Sequence, residues 1–243
     1  CSHPLSDPGI PNRDEVPTKQ IGFSDTVNDA DGIIRRHLLF MEPQERSPCS
    51  AEYSFSTLAA LRYLYDEDIT NSFPSSQTIK IHTTTFQPLQ PRSGGYQKID
   101  SMGGQVLLNY RALDSPLDIA PSISLRSFLE SEPDQSLFHE NIVLIGAIAN
   151  SGIDFHHTPV DQYSNQRVPG VFVQAHKISQ IISAVLNQRP LLRASSELHS
   201  VIWVALWSLV YGIGFFIFKN KSYIVLFPLF FSVILVGTCF WIF

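Results

Sequence analysis

Asn141–Ala147 reads NIVLIGA, an almost continuous apolar run of the kind a central strand buried on both faces requires. Gly146 stands near its end, a loop over 149–170 follows, and apolar spacing then predicts a helix from Phe172 to Asn187. Along that helix Gln174, Ile178, Ile181, Ile182 and Val185 share one side. His176, Gln180, Ser183 and Asn187 form a narrow uncharged stripe opposite, read as a solvated face or, alternatively, as a contact between two copies of the chain. Pro190 stops the helix. Strand, loop and helix in succession set the fold class as α/β, a mixed sheet with flanking helices.

Working towards the start, QVLLNY at Gln105–Tyr110 is a predicted strand, and Ser122–Glu130 is a short helix. Thr78–His82 alternates as a short strand, and Ser54–Tyr65 places apolar residues at 55, 58, 61 and 65, a helical spacing. Ile33–Phe40 is a strand fed by the turn Asn28–Gly32, where Asn and Asp bond their own backbone and Gly accepts positive φ. Ile21–Phe23 begins a further strand, and the proline-rich 1–20 reads as extended loop.

Towards the end the solvent changes. Val201–Phe218, VIWVALWSLVYGIGFFIF, carries no charge and as a helix spans roughly 27 Å, close to the hydrocarbon core of a bilayer. Lys219-Asn220-Lys221 interrupts it, and Ser222–Phe243 is a second uncharged run whose Pro228 and Gly237 suit a membrane helix. The fold is therefore expected to close on a two-helix transmembrane hairpin, with a domain over 1–200 and helices over 201–218 and 222–243. Residues 1–200 hold all 22 acidic residues against 15 basic ones, a net −7 that gives nucleic acid no footprint. The lysine pair makes 219–221 the cytoplasmic loop and 1–200 extracytoplasmic, at the inner (plasma) membrane. Arg189 and Arg193 near the other end of the first span weigh against that assignment. In an oxidising compartment a Cys1–Cys49 disulfide is permitted, although sequence cannot test the Cα separation it needs. Cys1 is no initiator methionine and no leader pattern precedes the polar start, so an upstream part of the protein is expected.

Candidate chemistry is sparse. Asp29-x-Asp31-Gly32 invites a calcium loop, but Val27 and Leu38 would occupy its first and twelfth positions, where oxygen donors are needed. A turn in which Arg35 or Arg36 pairs with Asp29 or Asp31 accounts for it better. Asp154, His156 and His157 offer zinc-type donors, yet adjacent histidines in a strand point to opposite faces, so a structural turn fixed by Pro159 is preferred. Gly146–Gly152 lacks the Lys-Ser/Thr of a phosphate loop, and Ser151, Asp154 and His156 lack the spacing of a hydrolase triad. No catalytic residue, metal or cofactor is assigned. In an open α/β sheet ligands bind beyond the carboxyl ends of strands, which nominates Asp154, His156 and Thr158 as ligand contacts.

Four segments in order carry a resemblance: Asp29–Arg36 (DADGIIRR), Asn141–Gly146 (NIVLIG), Asp154–Pro159 (DFHHTP) and Pro169–His176 (PGVFVQAH). Asp29, Asp31, Gly32, Arg35, Arg36, Gly146, Pro159, Pro169 and Gly170 are its motif positions. Together they resemble the CHASE type 2 family of extracytoplasmic sensory domains on bacterial signalling receptors. Its pattern is D-x-D-G-hydrophobic-hydrophobic-R-R, I-V-L-I-G, D-x-x-x-T-P and P-G-V-x-x-H-A. The last motif departs here: Ala175-His176 reverses the usual order, and Gln174 stands where the family's His would be. Ile21–Asp25 and Gln105–Arg111 are similar to the cyanobacterial branch, some of whose members carry a caspase-like CHAT domain upstream. The resemblance implies that this chain is the later part of the family's domain, with about three membrane helices and often a cyclase or kinase to follow.

The leading functional reading is a sensor in which a signal at loop 149–170 moves helix 172–187 and biases the membrane hairpin. A membrane-anchored periplasmic enzyme and a passive scaffold are the alternatives. The expected partners are the bilayer, a small-molecule or peptide signal, a second copy of the chain and an effector domain in cis.

Overall fold

The computed structural model describes residues 1–3, 9–43, 45, 47–67, 69, 71–72, 78–131, 134–148, 154–160, 167–217 and 221–242. Within the 149–170 loop, 149–153 and 161–166 lie outside the described residues, as do Phe218, Lys219, Asn220 and Phe243 of the membrane segments. The chain divides into two compact units, one of Cys1–Pro91 with Lys98–Ala194, the other of Arg92–Gln97 with Ser195–Phe243.

The first unit is α/β, but its strands are short and form three separate antiparallel sheets instead of one mixed sheet. Strand β1 (Arg36–Phe40) pairs with β5 (Gly104–Leu107), placing His37 opposite Val106. Strands β2 (Asn71–Ser72), β3 (Ile79–Ile81) and β4 (Thr84–Phe86) make a meander. Strand β6 (Phe155–His156) pairs with β7 (Val168–Pro169). Among the described residues, parallel pairing survives only as single bridges, Phe23 with Ser54 and Ile33 with His157.

Helix α1 (Phe55–Asp66) starts where Ser54 accepts a hydrogen bond from the Thr57 backbone N–H at 3.2 Å, satisfying one of the free donors of the first turn. Its buried face is turned from the expected one. Ser56, Thr57, Ala60, Leu61 and Leu64 point inward, whereas Phe55 and Tyr65 are exposed. Small and hydroxyl side chains win the interface because Ser56 Oγ is needed by the buried His37 ring, 2.8 Å away. A short helix, α2 (Leu125–Glu130), is capped by Ser124.

Helix α3 (Gly170–Leu186) is the centre of the unit. Ile178, Ile181, Ala184 and Val185 join Leu39, Leu61, Leu64, Ile79, Ile81, Phe86 and Val106 in the main core. The expectation of a solvated or dimer-forming polar stripe is overturned for three of its four residues. His176 is 1% and Gln180 2% exposed, Ser183 is buried too, and only Asn187 meets solvent. Burial is tolerated because the protein supplies partners. The Gln180 amide donates to the Leu107 carbonyl at 2.7 Å, and His176 Nε2 lies 3.0 Å from the Pro116 carbonyl. Burial drives the His37 imidazole well below its usual pKa, with the charge of Lys177 adding to the effect.

Asn141–Ala147 is not a strand. Ile142 and Leu144 pack on the main core while Val143 and the 94% exposed Ile145 face out, a period-two alternation without a ladder. Apolarity on both faces reports a demand for burial, but a strand also requires a partner's N–H and C=O groups. Among the described residues no strand pairs with this run.

In the second unit, α4 (Glu197–Ile217) is long and apolar enough to cross a membrane. Helix α5 (Lys221–Ile242) contains Pro228, and its apolar stretch, Phe227–Cys239, is shorter. The two touch: Tyr211 Oη lies 2.9 Å from Ser232 Oγ, and the Phe215 and Phe227 rings are 6.4 Å apart. The polar segment Arg92–Gln97 meets the start of α4 through Arg92–Glu197 at 2.9 Å and a Ser93–Ser196 bridge.

Cys1 and Cys49 are joined in a disulfide with Cα atoms 5.4 Å apart, closing a sequence separation of 48 residues. Buried Cys49 also packs with Phe23, Leu38, Met41 and Ala51. Chain-entropy arguments assign a loop of that size about 4 kcal/mol of stabilisation. The double variant Cys1→Ala/Cys49→Ala is expected to lose about 2–4 kcal/mol in denaturant unfolding of the detergent-solubilised chain, and reductant is expected to destabilise the native chain only.

Candidate functional site

The first motif segment lies more than a hundred residues before the other three, and all four converge at the start of α3. The turn of the first is held by charge: Arg35 bonds Asp29 at 3.0 Å and Asp31 at 2.8 Å, and Arg36 Nε reaches Asp29 at 2.8 Å. Hydrogen bonding from Arg35 holds the Asp31 carboxyl down at about 2. The buried Arg36 also donates to Gln105 Oε1 at 2.7 Å and to the Asn28 carbonyl at 2.9 Å, tying the turn to β5. The Ile34 N–H then donates to the His157 carbonyl at 2.9 Å, which fastens this first motif to the third.

The third motif meets the fourth at Asp154. Its backbone carbonyl accepts from the Gly170 N–H at 3.0 Å, and its carboxylate lies against the Gly170 Cα so closely that any Cβ there would overlap it. A negative charge at the first turn of a helix is favoured by the orphan N–H groups and the axial dipole. Pro169 at the N-cap provides no side-chain cap; the Asp154 carbonyl takes the Gly170 N–H, and the Asp154 carboxylate lies beside the helix start. The second motif closes the group: a Cβ on Gly146 would collide with the Val171 side chain.

Of the three residues nominated as ligand contacts, the structure brings two together. His156 Nε2 lies 2.8 Å from Asp154 Oδ1, and the Asp154 side chain is 66% exposed. Thr158 is fully buried, set apart from that exposed carboxylate. The argument from the carboxyl end of a central strand fails with that strand. What places the loop instead is the β6–β7 pairing immediately before α3.

Sequence reasoning missed Lys177 and Asp25, and it placed Gln174 only on the apolar side of the helix and at the family's His position. Lys177 is 1% exposed, and burial pushes its ammonium down to about 8 against the opposing pull of Asp25 and Asp154. Asp25 is itself buried and accepts from the His3 N–H at 2.7 Å. Gln174 reaches the Ser24 carbonyl at 3.5 Å, leaving its buried Oε1 without a hydrogen-bond partner. One signal was legible: Lys177 is the only charged residue between Gly170 and Gln188. The arrangement is a charged and polar cluster in which one face of α3 meets the Asp154 loop. Among the described residues no three His, Cys, Asp or Glu side chains are grouped to hold a metal ion.

Two outcomes are expected. Gly170→Ala must expel the Asp154 carboxylate from the helix start, costing about 0.3–1 kcal/mol, while Asp154→Ala, which removes the overlapping atoms, should make the same alanine substitution nearly silent in a double-mutant cycle. Lys177 has a folded pKa of about 8 against an ordinary 10.5, so between those values the unfolded chain binds more protons. Stability contributed by this group therefore rises with pH across that window, and unfolding of Lys177→Met should lack that slope.

The family profile of the CHASE2 domain matches residues 5–213 of the 243. No curated protein and no solved structure matches the chain. The converging motifs and the extent of that match make one conclusion plain: the chain belongs to the CHASE2 domain family of extracellular sensory domains.

Proposed function

We propose that this chain is the sensing and transmitting part of a membrane-bound signalling receptor, with Asp154 and His156 as its signal contacts. The observation that carries the reading is the convergence of all four motif segments on the first turn of α3, the helix that leads in sequence to α4. A small-molecule or peptide signal that engages the exposed Asp154 carboxylate and the mostly buried His156 beside it disturbs the Asp154 cap on α3. Removing that cap shifts the helix relative to β1 and β5, and the ten residues 187–196 carry the shift to α4.

A differential affinity worth ~1–3 kcal/mol between two arrangements of α3 is enough for regulation. Helices α4 and α5 act in this reading as a transmembrane hairpin, with the α3 unit outside and the 219–221 loop inside. The disulfide supports the outside placement, because such bonds persist in oxidising compartments. The output belongs to an effector domain in cis, of the cyclase or kinase kind.

The test is output of the intact receptor in cells. Asp154→Asn with His156→Gln is expected to change basal output or its response at least about fivefold, at unchanged membrane abundance. Unchanged output from a normally inserted double variant would remove these residues from the sensing role.

A further inference from the structure

A second polar locus lies away from the Asp154 loop, at the carboxyl-terminal end of α3. Asn109, Tyr110 and Arg111 follow β5, and Arg189 follows α3. Arg189 Nη2 donates to Asn109 Oδ1 at 3.0 Å and to the Tyr110 carbonyl at 2.8 Å. Arg111 Nε donates to Ser179 Oγ at 2.7 Å, and its backbone N–H points at His176 Nδ1 at 3.5 Å. Asn109 in turn donates to the Pro190 carbonyl at 3.0 Å. One guanidinium is thus bonded to the carbonyl of the residue immediately before the other.

Two cations held this close are ordinarily accompanied by a carboxylate. Among the described residues neither guanidinium has one within ion-pair distance. Arg189 Nη1 is buried and has no hydrogen-bond partner among the described residues. An arginine with an unused donor arm is a costly arrangement unless something accepts from it. Burial, and then the field of Arg111, pull the Arg189 guanidinium below its usual pKa. Burial, and then the fields of both arginines, lower the His176 imidazole below its usual pKa, against the opposing hydrogen bond to the Pro116 carbonyl.

We propose that Arg111 and Arg189 form an oxyanion site for a phosphate-class group, which bridges the strand-side residues 109–111 to the end of α3. Planar guanidinium forks match phosphoryl oxygens in paired hydrogen bonds, and two guanidiniums within each other's field suit a multiply charged oxyanion better than a monovalent halide. Arg111 is exposed and gives the anion its approach; Arg189 is partly buried, anchored and short of one acceptor. Occupancy neutralises the repulsion between the arginines and stiffens the exit of α3, eight residues ahead of Glu197. The chemistry is shared by two sources, free inorganic phosphate and the phosphate of an anionic lipid headgroup.

The experiment uses the whole chain in nanodiscs and reads hydrogen exchange over 105–112 and 176–190. Phosphatidylcholine discs are titrated with inorganic phosphate at constant ionic strength set by chloride, and compared with discs containing phosphatidylglycerol. At ten times the dissociation constant, exchange in these two segments is expected to slow about tenfold. An effect of phosphate in phosphatidylcholine discs identifies a soluble anion; an effect of phosphatidylglycerol alone identifies the headgroup. Arg111→Gln, on an exposed side chain, should retain the fold and abolish the slowing. Exchange that is indifferent to both anions, or slowing that persists undiminished in Arg111→Gln, overturns the site.

Discussion

Helix α3 is enclosed on nearly every side, and the rest of the first unit is arranged to make that enclosure affordable. A helix with a polar stripe and a lysine is cheap to leave half in water and expensive to bury. Each buried polar group therefore fixes something else in place. Gln180 needs the Leu107 carbonyl, so β5 lies alongside it; His176 needs the Pro116 carbonyl, so the turn after residue 115 folds over it. His37 on β1 sits between Ser56 of α1 and Gln180 of α3, which sets the spacing of three elements with one imidazole. The apolar contacts supply most of the stabilisation, and the polar ones decide the register.

The amino-terminal end of α3 is where this scheme is most easily perturbed. There the Asp154 carbonyl accepts the Gly170 N–H, and the exposed carboxylate lies between a glycine that has no side chain to oppose it and a histidine that bonds it. Such a contact is worth little in total, yet it is sensitive to any competing charge. A few tenths to about 1 kcal/mol at a helix start is too small to hold up a fold and adequate to bias a helix between two positions. Beneath it, Lys177 is a buried charge whose compensation comes from Asp25 and Asp154, so the loop, the helix and the segment bonded to His3 respond together.

Several features were legible because they depend on local chemistry. The Asp29–Gly32 turn needs only short polar side chains and a glycine at φ 80°, and its arginines lie within seven residues of their carboxylates. The helix after Pro169 and the apolar run of α4 declare themselves by composition and length. Asn141–Ala147 misled because apolar residues report that a segment seeks burial, while a strand requires another backbone at about 4.8 Å. The α3 stripe misled for the converse reason: polar residues suggest water unless carbonyls from elsewhere are brought to them.

The sequence by itself determined the alternation of helix and strand, the charged turn, the membrane-like end and the family, since each follows from residues that are neighbours or share a short period. Tertiary structure alone decided that four separated motifs meet at one helix start, that Lys177 is buried beside two carboxylates, and that two arginines share one corner without an acid. Those facts rest on contacts between residues from 16 to more than a hundred positions apart, and neither spacing nor composition encodes which carbonyl or carboxylate will arrive to satisfy a buried group.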